Sequence, residues 1–285
     1  MALSRRQFVV VAGVAAGQAV RAQSGALTAR QVIVRIQQHV GVPWRSQTVD
    51  TFKAGNPDTP VKGIATTVMA TLEVLQRAAR AGRNLVVTHE PTFYNHLDET
   101  KDLAKDPVYA AKMSFIERNN LVVWRFHDHW HERKPDGIFT GLTKVLGWDK
   151  YQAVDNQRFY VLPGTTLGAL AKDIRSRMKI RTMRVIGDPQ TKVSRVALSP
   201  GAGGLMAAVG TLPEADVLVV GEQREWEGIE YAQDTVAAGH KKGLIILGHA
   251  ISEDPGMDEC ARWLKTFITE VPIEFIPAGE PFWRP

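Results

Sequence analysis

Apolar positions along the chain recur with two periods. Between 28 and 40, Val32, Ile33, Ile36 and Val40 fall at helical spacing, and Thr28 stands where a helix cap belongs. Residues 61–66 form a short apolar run that reads as a strand. In 68–81, Val68, Leu72, Leu75 and Ala79 step along one helical face with Met69 beside them, and Gly82 ends the helix. Leu85, Val86 and Val87 then make a second strand. A strand, a helix and a strand at this spacing favour parallel pairing with a right-handed crossover. The rhythm continues with a helix over 108–119, a strand over 121–126 and a helix over 138–146 closed by Gly147. Turn residues crowd 148–156. Beyond them come a strand at 157–163, a helix at 167–178, strands at 181–186 and 193–198, and a helix at 205–209. A strand at 215–222, a helix at 229–238, a strand within 242–250, a helix at 257–267 and a strand at 273–276 complete the series. The pattern predicts an α/β fold of two lobes, with mainly parallel sheets flanked by helices. The first lobe is expected over 27–150 and the second over 151–285.

Composition fits a soluble protein with a sizeable core: 285 residues, 44% hydrophobic and 23% charged. The first residues change the charge balance. Arg5 and Arg6 precede an apolar stretch over 8–16, and Val20-Arg21-Ala22 has the form of a cleavage site. The apolar stretch is shorter than the ~20 residues that span a bilayer, so 1–22 reads as a removable leader and no stable membrane insertion is expected. Ser4-Arg5-Arg6-Gln7-Phe8-Val9 resembles a twin-arginine export signal, which implies a periplasmic or otherwise exported protein. An ordinary secretory leader or a basic amphipathic arm is the competing reading. Removing 1–22 lowers Lys and Arg from 35 to 32 against 30 acidic residues, so the net charge falls from +5 to about +2. No basic stripe remains that would argue for nucleic acid. Cys260 is the only cysteine, so stability cannot come from an internal disulfide.

Residues able to bind metal collect where strands are expected to end: His89 with Glu90, the run from His127 to His131, Ser199 to Gly204, Glu222, and His249 with Glu253. In open α/β sheets, sites form outside the carboxyl ends of strands. In "GHAISE" (248–253), a helical turn would aim His249 and Glu253 at one ion. The competing reading is a Ser252-Glu253 helix cap with His249 held in a turn. In "FHDHWHE" (126–132), an extended chain would project His127, His129 and His131 from one face, with Asp128 and Trp130 opposite. The competing reading there is a solvated edge loop. That segment is also faintly similar to the His-x-His-x-Asp-His signature of metallo-β-lactamase-type hydrolases, although His131-Glu132 stands where the signature has Asp-His. "SPGAGG" (199–204) offers Gly201, Gly203 and Gly204 to cradle a substrate anion on backbone N–H groups. A tight turn between strand and helix explains it equally well.

The order of these pieces carries more than any one of them. "VVTHEPTF" (86–93), the His-rich loop running into "DGIFTGLTKVLGW" (136–148), the glycine loop after "SRVALS" (194–199), "ADVLVVGE" (215–222) and "LGHAISE" (247–253) occur in that order. Together they resemble the NGG-interacting-factor-three family, dinuclear-metal proteins sometimes labelled GTP cyclohydrolase type 2-like. The resemblance covers nearly all the chain after the leader. It implies a two-lobed α/β fold, two divalent metal ions per chain in the cleft between lobes, and a homo-oligomer, often a hexameric ring.

The resemblance also implies a ligand set, with two departures. Where the family has adjacent histidines before proline, this chain has His89-Glu90-Pro91. Counting back from Gly137, the family's ligand Asp falls on His131, with His127 at the family's His. The implied ligands are His89, Glu90, His131, His249 and Glu253, with His127 a candidate addition. One His has become Glu and one Asp has become His, so three imidazoles and two carboxylates are kept. Zinc, manganese and iron all suit such a mixture. The activity implied is metal-dependent hydrolysis by metal-bound water between ions about 3.5 Å apart. Glu253 would bridge the ions, and Asp128, His129 or Glu222 would orient substrate or move protons. The expected partner is a small-molecule substrate. Export argues against GTP and leaves another C–N or ester hydrolysis open. The second reading is a metal-binding, ring-forming protein without turnover, distinguished by whether the metal keeps an open coordination position.

Overall fold

Two five-stranded sheets carry the fold. The computed structural model describes residues 26–283 and Pro285; the expected leader over 1–22 lies outside the described residues. In chain order the elements are α1 (Ala29–His39), β1 (Phe52–Ala54), β2 (Ile64–Thr67), α2 (Leu72–Arg80), β3 (Leu85–Thr88), α3 (Pro107–Arg118), β4 (Val122–Arg125), α4 (Asp128–Glu132) and α5 (Gly137–Leu146). Then follow β5 (Phe159–Thr166), α6 (Leu167–Met178), β6 (Arg184–Ile186), β7 (Lys192–Ala202), α7 (Gly204–Thr211), β8 (Val217–Glu222), α8 (Glu230–Ala237), β9 (Gly243–Ile246), α9 (His249–Leu264) and β10 (Ile273–Phe275).

The first sheet has the order β1-β4-β3-β2-β10, parallel except for the edge strand β1. The second has the order β5-β7-β8-β9-β6, with a parallel centre and antiparallel edges. Strands β2, β3, β4 and β9 are buried at every position, as parallel strands covered on both faces must be. Helix starts follow side-chain caps. Thr28 and Gln31 form a capping box on α1, Thr71 accepts from the Val74 N–H on α2, and Asp106 accepts from Tyr109 N–H on α3.

Two expectations are corrected and one strand is added. Strand β1 carries no usable period, since it is three residues that include Lys53. Residues 127–131 are not extended: α4 runs through them, capped from a distance by the Asp50 carboxylate, which accepts the N–H groups of His127, Asp128 and His129. The last long helix starts at His249 rather than 257 and carries Pro255 inside it. Proline normally breaks a helix interior, which is why the sequence places the start beyond it.

The lobes are not contiguous in sequence either. β10, within the range expected for the second lobe, pairs in parallel with β2 of the first sheet. Helix α5 serves both cores. Ile138 packs with Trp124, Trp130, Met257 and Leu264, while Leu142 and Leu146 pack with Leu198, Val217 and Ile245. Helices α5 and α9 cross with their backbones touching. A Cβ on Gly141 would lie 2.1 Å from the Pro255 carbonyl oxygen, so only glycine fits. Gly141→Ala is therefore expected to cost roughly 1–3 kcal/mol, the range for overpacking, and to lower the melting temperature by several degrees in calorimetry. Gly210→Ala, in α7 with open space around its Cβ, should leave it unchanged or slightly raised. Equal melting of the Gly141 variant and the parent would refute the close crossing.

Candidate metal centre

The carboxyl ends of strands from both sheets meet over the start of α9. His89 follows β3, His127 comes two residues after β4, Glu222 ends β8, and His249 opens α9 just past β9. Candidate ligand atoms of His89, His127 and His131 all lie within 4.8 Å of one another, as do those of His89, Glu90 and Glu253. His249 Nε2 is 3.2 Å from Glu90 Oε1 and 3.2 Å from Glu253 Oε2. His89 Nε2 is 3.7 Å from Glu253 Oε1, and His127 Nε2 is 3.8 Å from Glu90 Oε1. The five implied ligands and His127 thus share one cluster.

Each ring is held from behind. The His89 Nδ1–H donates to the Phe126 carbonyl at 3.1 Å, which leaves Nε2 with its lone pair. That Nε2 is buried and has no hydrogen-bond partner. His127 Nδ1–H donates to Asp128 Oδ1 and His131 Nδ1–H to Asp136 Oδ2, both at 2.9 Å. His249 Nδ1 lies 3.3 Å from Glu222 Oε2. A carbonyl or carboxylate behind one ring nitrogen, with the other aimed inward, is how proteins present imidazole to metal. Glu253 Oε2 is a second buried atom without a well-formed hydrogen bond. This donor set, with its orphaned buried lone pairs, fits a divalent cation.

Two buried residues that sequence reasoning missed complete the frame. Arg125 donates to the His89 carbonyl (3.0 Å) and the His96 carbonyl (2.5 Å), and reaches Glu90 Oε2 at 3.3 Å. A charge inside the apolar run "LVVWRF" was an available signal, since a buried guanidinium needs acceptors. Asp50 is 4% exposed and caps α4 from 77 residues away, a contact without any local signal. Asp136 was also overlooked as an anchor, although its place before the helical run 138–146 marks an N-cap; its Oδ1 accepts from Ile138 and Phe139 while Oδ2 holds His131.

The residues expected to handle substrate fare unevenly. His129 is buried away from the cluster. It donates from Nδ1 to Asp50 (2.6 Å), accepts the Arg45 N–H at Nε2 (3.0 Å) and stacks on Trp44 at 3.7 Å. Helical rather than extended geometry puts His127 and His131 on one face and turns His129 to the core. Asp128 accepts from Thr48, Val49 and His127, leaving it little freedom to move protons. Glu222 remains half-exposed at the rim. In the glycine loop, Gly201 N–H donates to Ser252 Oγ and Gly203 N–H to the Glu222 carbonyl, so neither is available to an anion. What Gly201 provides is room: at φ +69°, its Cβ would fall 2.3 Å from Glu253 Oε1. Beside the cluster, His131 borders a cavity of about 1350 Å³ whose walls include Asp136, Phe139, Tyr160, Pro200 and Met206.

Charges in the cluster are strongly coupled. Burial opposes the charged His249 ring, but Glu222, Glu253 and Glu90 outweigh it and push its pKa up to about 12. Burial takes His89 well below the usual histidine value, helped by the fields of His131 and His127. Burial would raise Glu90, yet the His249 hydrogen bond and neighbouring rings hold it well below the ordinary carboxylate range. Burial raises Glu253, the deeper of the two acids.

The family model for Duf34/NIF3 (NGG1p interacting factor 3) matches residues 39–281. The chain belongs to the Duf34/NIF3 family. A Clostridium acetobutylicum protein named GTP cyclohydrolase 1 type 2 homolog is 23% identical over 230 residues, covering 77% of this chain and 82% of that protein. A Chlamydia pneumoniae protein of the same name is 24% identical over 252 residues, covering 81% and 90%. Among solved structures, a Staphylococcus aureus hypothetical protein matches with a TM-score of 0.73 at 18% identity, over 91% of this chain and all of the other. A Bacillus cereus protein related to NIF3 matches with a TM-score of 0.71 at 15% identity, covering 92% of this chain and 100% of that chain. The Duf34/NIF3 fold is thus shown. Together with the His and Glu cluster, these likenesses support a metal-binding protein.

His89→Ala and His249→Ala should each sharply lower bound metal per chain in elemental analysis; unchanged stoichiometry in both would refute the ligand assignment. His129→Ala should instead lower thermal stability while folded protein keeps its metal. With the pKa of His249 pushed up to about 12, an incoming cation is expected to displace its proton. Metal affinity is therefore expected to rise with pH, by about tenfold per unit for each proton released. Calorimetric titration in buffers of different ionisation heat counts those protons, and zero release would contradict the arrangement.

Proposed function

We propose that the chain is a metal-dependent hydrolase whose cluster of His89, Glu90, His127, His131, His249 and Glu253 holds two divalent ions. The observation that supports turnover over mere storage is the cavity of about 1350 Å³ abutting His131. A structural site is closed by protein; a hydrolytic one needs space beside it. When bound, the ions would supply Lewis acidity and acidify a water near neutral pH. The chain's own residues do the rest. Asp128 and Asp136 hold the rings of His127 and His131, and Arg125 fixes Glu90. Glu222 is the acid/base candidate, since it reaches His249 at 3.3 Å on one side and solvent on the other.

The substrate on this reading is a small molecule. The relatives' name favours opening of a C–N bond, and export makes GTP itself a poor choice. Export by the twin-arginine route and assembly into a homo-oligomer, with a hexamer among the forms, belong to the same reading. Purified protein should hydrolyse at least one member of a panel of cyclic C–N, amide, ester and phosphoester substrates. Activity should vanish on chelation and return with metal. Glu222→Gln should lower kcat by about 100-fold or more while metal stays bound. Bound metal without turnover in any class would favour a non-catalytic metal-binding protein. Replacing Arg5 and Arg6 together by Lys should block export in cell fractionation; continued export would point to the general secretory route.

A further inference from the structure

Resting on that metal reading, we propose that the centre is built for two unlike ions. The triad of His89, His127 and His131 takes a nitrogen-preferring ion of the zinc class. Glu90 and His249 take an oxygen-preferring ion of the manganese class, with Glu253 within reach of both halves.

The donors are largely sorted by type, with His89 at the seam, since its candidate nitrogen also lies within 4.8 Å of oxygens of Glu90 and Glu253. On one side, three rings bring candidate nitrogens within 4.8 Å of one another. His127 and His131 stand four residues apart around α4, which puts both on one face. Their Nδ1–H groups and that of His89 are donated to Asp128, Asp136 and the Phe126 carbonyl, so each ring turns Nε2 inward. The fully buried Nε2 of His89 has no hydrogen-bond partner, so its lone pair is free for a cation. On the other side stand the carboxylates. Glu90 Oε1 is 3.2 Å from His249 Nε2 and 3.8 Å from His127 Nε2, nearer to His249. Glu253 reaches both sides, with Oε2 3.2 Å from His249 Nε2 and Oε1 3.7 Å from His89 Nε2. Both acids stand between the triad and His249. Glu253 Oε2 is the second buried atom without a well-formed hydrogen bond.

Neutral imidazoles suit zinc, copper and nickel, whereas carboxylates suit magnesium and manganese. Zinc outcompetes manganese at either half, but its advantage is larger among the three nitrogens. At one equivalent of each ion the mixed centre is therefore the favoured species. The residues that create the asymmetry are Glu90 and His131: one adds an oxygen to the His249 half, the other a nitrogen to the triad.

The test begins from the full chain stripped by chelation and given one equivalent each of zinc(II) and manganese(II). Elemental analysis should find one of each per chain, and electron paramagnetic resonance should show isolated manganese(II). His127→Gln should weaken zinc binding by roughly tenfold or more and leave manganese nearly unchanged. Glu90→Gln should do the reverse, with His249→Gln as a second variant if loss of the Arg125 partner unfolds the first; circular dichroism checks the fold. Exchange-coupled manganese pairs beside zinc pairs would overturn the proposal, as would variants that weaken both ions equally. A stripped chain that takes up neither ion would overturn the metal reading itself, so the two failures are distinguishable.

Discussion

Burying several imidazoles and carboxylates in one cleft is costly unless every group has a partner, and that constraint organises this protein. The partners come as a framework behind the cluster. Asp128, Asp136, Glu222 and the Phe126 carbonyl take the outer nitrogens of four rings, and Arg125 takes the outer oxygen of Glu90. What remains unsatisfied points inward, at His89 Nε2 and Glu253 Oε2. Glu222, Glu253 and Glu90 crowd the His249 ring and raise its pKa against the effect of burial.

The architecture follows from the need to bring strand ends from two sheets to one point. Helix α9 does this by starting at the cleft and running back between the cores, crossing α5 where Gly141 meets Pro255. Helix α5 shares its side chains between both cores, and β10 returns to the first sheet. The lobes are tied by these crossings, so the ligand halves cannot separate without disturbing packed helices. Asp50 adds a smaller tie: by capping α4 it sets which histidines of the run face the cleft.

Membership of the Duf34/NIF3 family accounts for the fold and supports metal binding. The chain's own residues add something narrower. Its imidazoles and carboxylates form one cluster in which His89 sits both with His127 and His131 and with Glu90 and Glu253. A cavity of about 1350 Å³ adjoins the cluster at His131.

Much of this was legible in one dimension. The apolar runs of β3, β4, β8 and β9, the helical spacing of α1 and α6, and the capping residue Thr28 are local signals, because short-range backbone and burial preferences write them. So are His89, Glu90, His249 and Glu253, whose positions after strands mark them. Other features depended on partners far along the chain. The run 127–131 is a helix because Asp50 caps it, and His129 is a core residue because Trp44, Arg45 and Asp50 surround it. Gly201 clears space for a carboxylate fifty-two positions later rather than holding an anion. Periodicity reports which face of an element is buried. It does not report what that face is buried against, and at this site the chemistry depends on that second fact.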